Sequence, residues 1–348
     1  MVKISPKSQL GSWPTAPSVL VPVAPAAMVP AAPRIQLPSS RISKYLDVIF
    51  RYSLWVCSLS VLAVLGLFFY ELITRSKLSI ARFGLHFFVG STWDPVSGDF
   101  GALPFLYGTL VSSLVALVLA VPLAVGVAVF VTELCPRFLR GTISFMVELL
   151  AAIPSVIYGL WGIFVLVPIL HHDVQPWLGR YFAWTGLFGG PAYGIGMLAA
   201  GIILAIMIVP IIASITREVL LAVPRSQREA VLALGATRWE MVRMAVLRNA
   251  RAGIMGGIIL GLGRALGETM AVTMLIGNRA EISHSLFAPG YTMASVIANE
   301  FSEATDDLYL SALVEIGLAL LIVTLIVNAC ARLLIWSITR GQSARSNA

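Results

Sequence analysis

The sequence predicts an all-α membrane protein of six transmembrane helices with both termini on the inner side, and three observations carry that prediction. Of 348 residues, 58% are apolar and 12% charged, more apolar side chains than a soluble core of this size can hide. The apolar residues fall into long runs, charge-free over 52–70, 100–132, 149–172 and 181–216, where a bilayer-spanning helix needs about 20 residues. Two further apolar segments, 254–277 and 309–336, are interrupted by one or two charges.

Taken in order, the spans are expected near 51–72, 105–131, 143–170, 195–216, 254–277 and 310–335. Pro122, Pro154, Pro168 and Pro210 fall inside them, which lipid-embedded helices tolerate when neighbours satisfy the freed backbone groups. Residues 1–45 form a flexible Pro/Ala-rich tail, with eight of the 19 prolines before residue 41. Lys3 and Lys7 precede a mildly apolar stretch, but Pro22, Pro25 and Pro30 break any signal-peptide helix there. The first span and its outer loop occupy 46–104, a core of five spans 105–337, and a short inner tail 338–348. Cys57, Cys135 and Cys330 lie in spans or on the inner side, where free thiols are expected.

Charge sets the orientation. With the N-terminus inside, inner segments hold 18 of the 24 basic residues and five of the 17 acidic ones, a net of +13. Outer segments hold five basic and nine acidic residues, a net of −4, and the spans contribute −2. This is a strong positive-inside asymmetry. The overall +7 therefore reports topology and not affinity for nucleic acid.

The one long inner connection, 217–253, is patterned for helix. Ser226-Gln-Arg-Glu229 follows Pro224 as a capping box and Thr237-Arg-Trp-Glu240 is a second. Between them Gly235 suits the positive φ of a helix C-cap. Two short helices joined by a tight turn are expected, with Ala230, Ala233, Gly235 and Ala236 small enough for another protein surface to approach closely.

The run REAVLALGATRWEMV, with Glu229, Ala230 and Gly235, resembles the EAA motif of ATP-binding cassette (ABC) importer permeases. That pattern reads E-A-A, three residues, G, nine residues, then I-x-L-P. This chain has Val231 for the second Ala, Ala245 for Ile and Arg248 for Pro, departures that touch the junction of helix and span. FGALPFLYGTLVSS at 100–113, ELLAAIPSVIYGLWG at 148–162, YGIGMLAAGIILAIMIVPIIAS at 193–214, GLGRALGETMAVTMLIGN at 261–278 and SLFAPGYTMASVIANEF at 285–301 resemble the phosphate-transport permeases of the Pst system, PstC more than PstA. The resemblance covers about 88–336 and implies a type I ABC importer permease fold. It implies that Glu229, Ala230, Gly235, Thr237 and Glu240 belong to a coupling loop that docks on an ATPase. Capping of its own helix by Glu229 is the plainer alternative, and both roles can hold together.

Arg264 and Glu268 stand in the fifth span at i, i+4, on one helical face. Each would cost roughly 3 kcal/mol alone near the bilayer centre, so they must pair or face protein or a wet cavity. One reading is an intrahelical ion pair that locks packing. The other, which the resemblance favours, puts Arg264 on the route of an anion, with Glu268 holding it in place. Gly257-x-x-x-Gly261 and Gly263-x-x-x-Gly267 allow close helix contact, within this chain or against a second permease. A structural role is expected for Glu148 and Glu315, and no metal-ligand spacing accompanies His86, His171, His172 or His284.

With lysine only at 3, 7, 44 and 77, no G-x-x-x-x-G-K-[ST] phosphate loop exists, and neither H-E-x-x-H nor G-x-S-x-G occurs. The expectation is a transport subunit that is not itself an enzyme and holds no cofactor or metal, ATP being bound by a partner. The resemblance implies a multi-pass protein of the bacterial inner membrane. It implies as partners a PstA-like sister permease, two PstB-like ATP-binding subunits and a PstS-like binding protein. That protein would dock on outer loops 74–101, 171–194 and 278–308, where Glu300, Glu303, Asp306 and Asp307 form an acidic rim. The alternatives are a permease for sulfate or molybdate, and a stand-alone secondary anion carrier.

Overall fold

A computed structural model describes residues 41–346, with side chains over 45–336. The Pro/Ala-rich tail expected at 1–40 lies outside the described residues. Contacts group the chain into residues 1–61 and residues 62–348. In the first group the described residues are the N-terminal part of helix α1 (Arg41–Arg75), whose side chains over 45–61 are exposed.

In the second group, α1 ends at Arg75 and a short α2 (Lys77–Phe83) follows. A two-stranded hairpin, β1 (Trp93–Asp94) and β2 (Asp99–Phe100), leads into α3 (Leu103–Leu134). Then come α4 (Arg137–Ala152), α5 (Ser155–Thr185), α6 (Met197–Leu221), α7 (Arg225–Ala233), α8 (Arg238–Leu266), α9 (Met270–Thr273), α10 (Met293–Glu300) and α11 (Asp307–Ser346). Among the described residues six helices, α1, α3, α5, α6, α8 and α11, are long and apolar enough to cross a membrane.

The centre is built on α3 and α6. Along α3, Gly108, Ser112, Ala116, Ala120, Ala124 and Ala128 recur at every fourth position and all are buried, which gives a flat small-residue stripe on one helical face. Large side chains of α6 lie against it, among them Leu204, Ile208 and Ile212, all at most 1% exposed. Gly108 marks the tightest point, because a Cβ there would overlap the Tyr291 carbonyl. Gly108→Ala is expected to cost about 1–3 kcal/mol from overpacking. A detergent thermal melt that matches the parent protein would show that the α3 contact is looser than this.

Two of the expected spans are drawn differently. The third starts at Ser155, not 143, because Ile153 is extended (φ −66°, ψ 129°) before Pro154. A residue preceding proline is pushed out of the helical region, so α4 ends there as a separate helix. Tyr158 donates its hydroxyl to the Leu150 carbonyl at 2.7 Å, satisfying one acceptor freed by the break. The fifth starts at Arg238 and stops at Leu266, not 277. Gly267 caps it, α9 is a single turn, and the chain reverses through Gly277 (φ +92°) and Asn278 (φ +50°). The returning segment seats on the start of α6, whose Gly196, Met197 and Leu198 amides donate to the carbonyls of Leu275, Ala288 and Leu286. Those otherwise orphaned helix-start donors are what the reversal satisfies.

At the end of the bundle away from α7, the hairpin, α10 and the start of α11 enclose an aromatic cluster of Phe87, Phe100, Phe105, Tyr291 and Tyr309. Glu300 accepts from Trp93 Nε1 at 2.8 Å and from the Tyr309 hydroxyl at 2.7 Å. It is thus a half-buried tie and not part of an open acidic rim, whereas Glu303, Asp306 and Asp307 are exposed.

Candidate functional site

The sequence-predicted residues fall into two places. The first is the α7 turn. Pro224 (φ −58°, ψ 140°) is the helix N-cap, so α7 begins at Arg225 and Ser226 lies inside its first turn. The Ser226–Glu229 capping box therefore does not form. Proline fixed at helix-compatible φ starts the helix ahead of the serine. Glu229 and Ala230 are exposed on α7, and among the described residues no hydrogen bond occupies the Glu229 carboxylate. Gly235 adopts φ +85° with open space around it. The second capping box is present: the Glu240 amide donates to Thr237 Oγ1 at 3.3 Å and the Thr237 amide donates to Glu240 Oε2 at 2.8 Å. It opens α8 itself, so the expected second short helix is the first turn of the fifth span. A π-helical stretch at Val242–Leu247 keeps the helix continuous.

What this turn shows to its surroundings is apolar: Leu234 is 88% and Trp239 65% exposed, with Leu232 beside them. An exposed cluster of that kind marks a contact surface. Its attachment to the bundle is firm. Arg228 donates to the Leu220 carbonyl at 2.7 Å and pairs with Glu133 at 3.1 Å, the two side chains 18% and 11% exposed. Asn249 of α8 donates to Gln227 at 2.6 Å. Val231 packs on a cluster that joins the ends of α3, α6 and α8 through Ala128, Leu220, Met241, Val242 and Val246. α7 is thereby tied to three membrane-crossing helices. A second tie, Arg217 to Glu148 at 3.2 Å, joins α6 to α4.

The second place is the broken end of α8. A Cβ on Gly257 would lie 3.2 Å from Ile215 Cγ2, and one on Gly261 2.8 Å from Ile212, with Gly253 against Val219. These three glycines form an antiparallel seam with α6, which assigns Gly257-x-x-x-Gly261 to contact within the chain. Gly256 and Gly263 face open space on the other side of the helix. Continuing the seam one turn puts Arg264 level with the middle of α6. Arg264 is exposed, and it lies close enough to the Tyr158 hydroxyl of α5 to act on it electrostatically.

Glu268 is buried, 9% exposed, beyond the helix end. No ion pair joins it to Arg264 among the described residues, and the intrahelical pair expected from their spacing is absent. The reason is local: α8 ends at Leu266, so the fourth residue after Arg264 no longer stacks above it. A non-helical backbone at mid-height of a membrane-crossing helix is stable only inside protein or beside water, and here Ala271, Val272, Leu275 and Ile276, all at most 1% exposed, enclose one side of it.

Sequence reasoning missed three elements of the site. The small-residue stripe on α3, repeating every four residues, was visible as spacing. The Glu133–Arg228 and Glu148–Arg217 ties join residues too far apart in the chain for any local pattern to show.

The geometry meets a family pattern. The model of the binding-protein-dependent transport system inner membrane component matches residues 120–340. The chain belongs to this permease family. It is 49% identical over 296 residues to the phosphate transport system permease protein PstC of Mesorhizobium japonicum, covering 84% of this chain and 90% of that one. To PstC of Pasteurella multocida it is 41% identical, covering 86% and 95%. Those identities place this permease in the PstC branch. A crystal structure of a bacterial ABC transporter involved in the import of the acidic polysaccharide alginate shares the fold, with TM-score 0.59 at 15% identity over 85% of this chain and 99% of that one.

Proposed function

We propose that this permease is the PstC-like subunit of an ATP-driven inorganic phosphate importer in the bacterial inner membrane, with both termini and α7 on the cytoplasmic side. The observation that carries the substrate class is the 49% identity to a phosphate transport permease across nearly the whole of both chains. The side assignment is supported by the net +13 that the sequence gives to the segments expected on the inner side, the α7 connection among them. Exposed Glu229, Ala230 and Gly235, with Leu234 and Trp239 beside them, form the surface that a PstB-like ATPase grips. ATP binding and hydrolysis on two such subunits move α7, and the ties to Leu220, Glu133 and Asn249 pass the motion into the bundle. The outcome is alternating access, a shift between two states that the partners bind differently.

The anion path runs along the exposed face of α8, past Arg264, where Gly256 and Gly263 leave room for a PstA-like sister permease. A guanidinium suits phosphate oxygens in planar, two-point contact. Glu268, buried beside the break, keeps the local field from holding the anion indefinitely. A PstS-like binding protein delivers phosphate to the loops at the far end, where Glu303, Asp306 and Asp307 contribute to docking.

Co-purification in detergent tests the assembly: an ATP-binding subunit and a second permease should accompany this chain. Uptake of labelled phosphate by the complex, competed by unlabelled phosphate but not by sulfate or molybdate, tests the substrate. Uptake by this chain alone, without any ATPase, would establish the secondary carrier instead. Removing residues 1–40 is expected to leave uptake nearly intact; complete loss would assign the tail a part in assembly or transport.

A further inference from the structure

Two helix starts at the α7 end repeat one arrangement. Pro136-Arg137-Phe138-Leu139-Arg140 opens α4 and Pro224-Arg225-Ser226-Gln227-Arg228 opens α7. In both, proline is the N-cap with nearly the same backbone, φ −55°, ψ 142° and φ −58°, ψ 140°, and no side chain caps the helix. In both, the second arginine reaches back eight residues to a carbonyl at 2.7 Å, Arg140 to Thr132 and Arg228 to Leu220. Those two carbonyls lie at the ends of α3 and α6, so each second arginine is held in place. The first arginine of each pair, Arg137 or Arg225, has no such anchor and is exposed.

The two starts border one cleft of about 740 Å³ lined by Arg137, Arg140, Arg225, Arg228 and Glu229. Glu133 pairs with Arg228 at 3.1 Å. Counting Glu133, four guanidiniums face two carboxylates, an excess of positive charge that a bound anion would offset. Two uncapped helix N-termini add unsatisfied amide donors and the positive ends of their dipoles. Among the described residues the buried Nε atoms of Arg140 and Arg228 have no hydrogen-bond partner. Only half of this cluster lies on α7, so contact between α7 and an ATPase leaves Arg137 and Arg140 unexplained.

We propose that the cleft binds a phosphate group, apart from the translocation path, and that its occupancy ties α7 to α4. Fork-shaped donors matched to phosphate oxygens supply the recognition. The group comes from free inorganic phosphate or from the headgroup of an anionic phospholipid; that it faces the cytoplasm rests on the function proposed above. Because α7 must move for transport, a ligand bridging the two helices acts as a brake, and free phosphate would make it a brake set by the product.

The test uses the purified full chain in detergent. Inorganic phosphate is titrated by calorimetry at constant ionic strength, and retention of phosphatidylglycerol against phosphatidylcholine is read by native mass spectrometry. Both are repeated on R137Q/R225Q, which removes the two unanchored arginines, and on R264Q, which addresses the path. An unchanged size-exclusion profile shows that each variant folds. The expected result is binding of phosphate or of phosphatidylglycerol that persists in R264Q and weakens about tenfold or more in R137Q/R225Q. Phosphate titration assigns the free anion, and selective phosphatidylglycerol retention alone assigns the lipid. The proposal is overturned by absence of both ligands from the parent chain, by binding unchanged in R137Q/R225Q, by binding lost equally in R264Q, or by sulfate and chloride substituting fully for phosphate. It is also overturned if, in the co-purified complex, R137Q/R225Q releases the ATPase while ligand binding to the purified chain stays unchanged, which would make the cleft a protein contact. Binding is read without transport, so the cleft and the import activity stand or fall separately.

Discussion

Arg264→Gln is expected to lower phosphate uptake by about 100-fold or more, the scale for losing a charged contact in a desolvated site. The complex should still assemble and remain in the membrane. The expectation rests on position: Arg264 is exposed at mid-height of the bundle, without an ion pair among the described residues, next to a break in the helix that carries it. A cation used only for packing would be expected to find Glu268, four residues on, and it does not. Uptake measured with labelled phosphate in cells of matched expression decides the matter. Wild-type uptake by the glutamine variant would remove Arg264 from the path. Loss of the partner subunits on purification would reassign it to assembly.

The second large effect is expected at Gly235. Its φ of +85° lies where a side chain costs about 1–2 kcal/mol and a β-branched one more. Gly235→Val should therefore reshape the turn and separate ATP hydrolysis from uptake, with hydrolysis persisting and uptake falling several-fold or more. Among the described residues nothing beyond its chain neighbours lies within 4 Å of that missing Cβ, so the change is expected to leave the bundle folded. Gly235→Asn separates two causes, because asparagine tolerates positive φ. Coupled transport in the asparagine variant would trace the effect to backbone shape, and uncoupling in both would trace it to lost space for the ATPase. Normal coupling in the valine variant would exclude the turn from coupling.

The spans were legible in the sequence because burial in lipid demands unbroken apolar composition, and a hydropathy reading detects that directly. The same reading is blind to breaks inside an apolar run. Pro154 and Gly267 interrupt helices without changing composition, so the third and fifth spans were misplaced by about a dozen residues at one end or both. The Arg264–Glu268 relation failed for the same reason: spacing of four implies a shared face only while the helix continues. At the α7 turn, Gly235 and the Thr237–Glu240 box follow from local backbone chemistry and were readable. The Ser226–Glu229 box had the same letters and did not form, since Pro224 started the helix first. Arg228 with Glu133, and the cleft that the two proline-arginine starts share, depend on three-dimensional neighbours that no local window contains.

The glycine seam between α6 and α8 has a mechanical consequence. With Gly253, Gly257 and Gly261 meshed against Val219, Ile215 and Ile212, the two helices cannot slip along each other without collision, so they pivot together as one stiff arm. α8 runs from Arg238, beside the α7 turn, to Leu266 at the break, roughly 40 Å at 1.5 Å per residue. Tilting such an arm by roughly 10° sweeps its far tip sideways by about 7 Å on that length. Under the coupling proposed above, a modest push on α7 would become a displacement wider than a water molecule at the level of Arg264, with the α6–α8 seam keeping its own contacts.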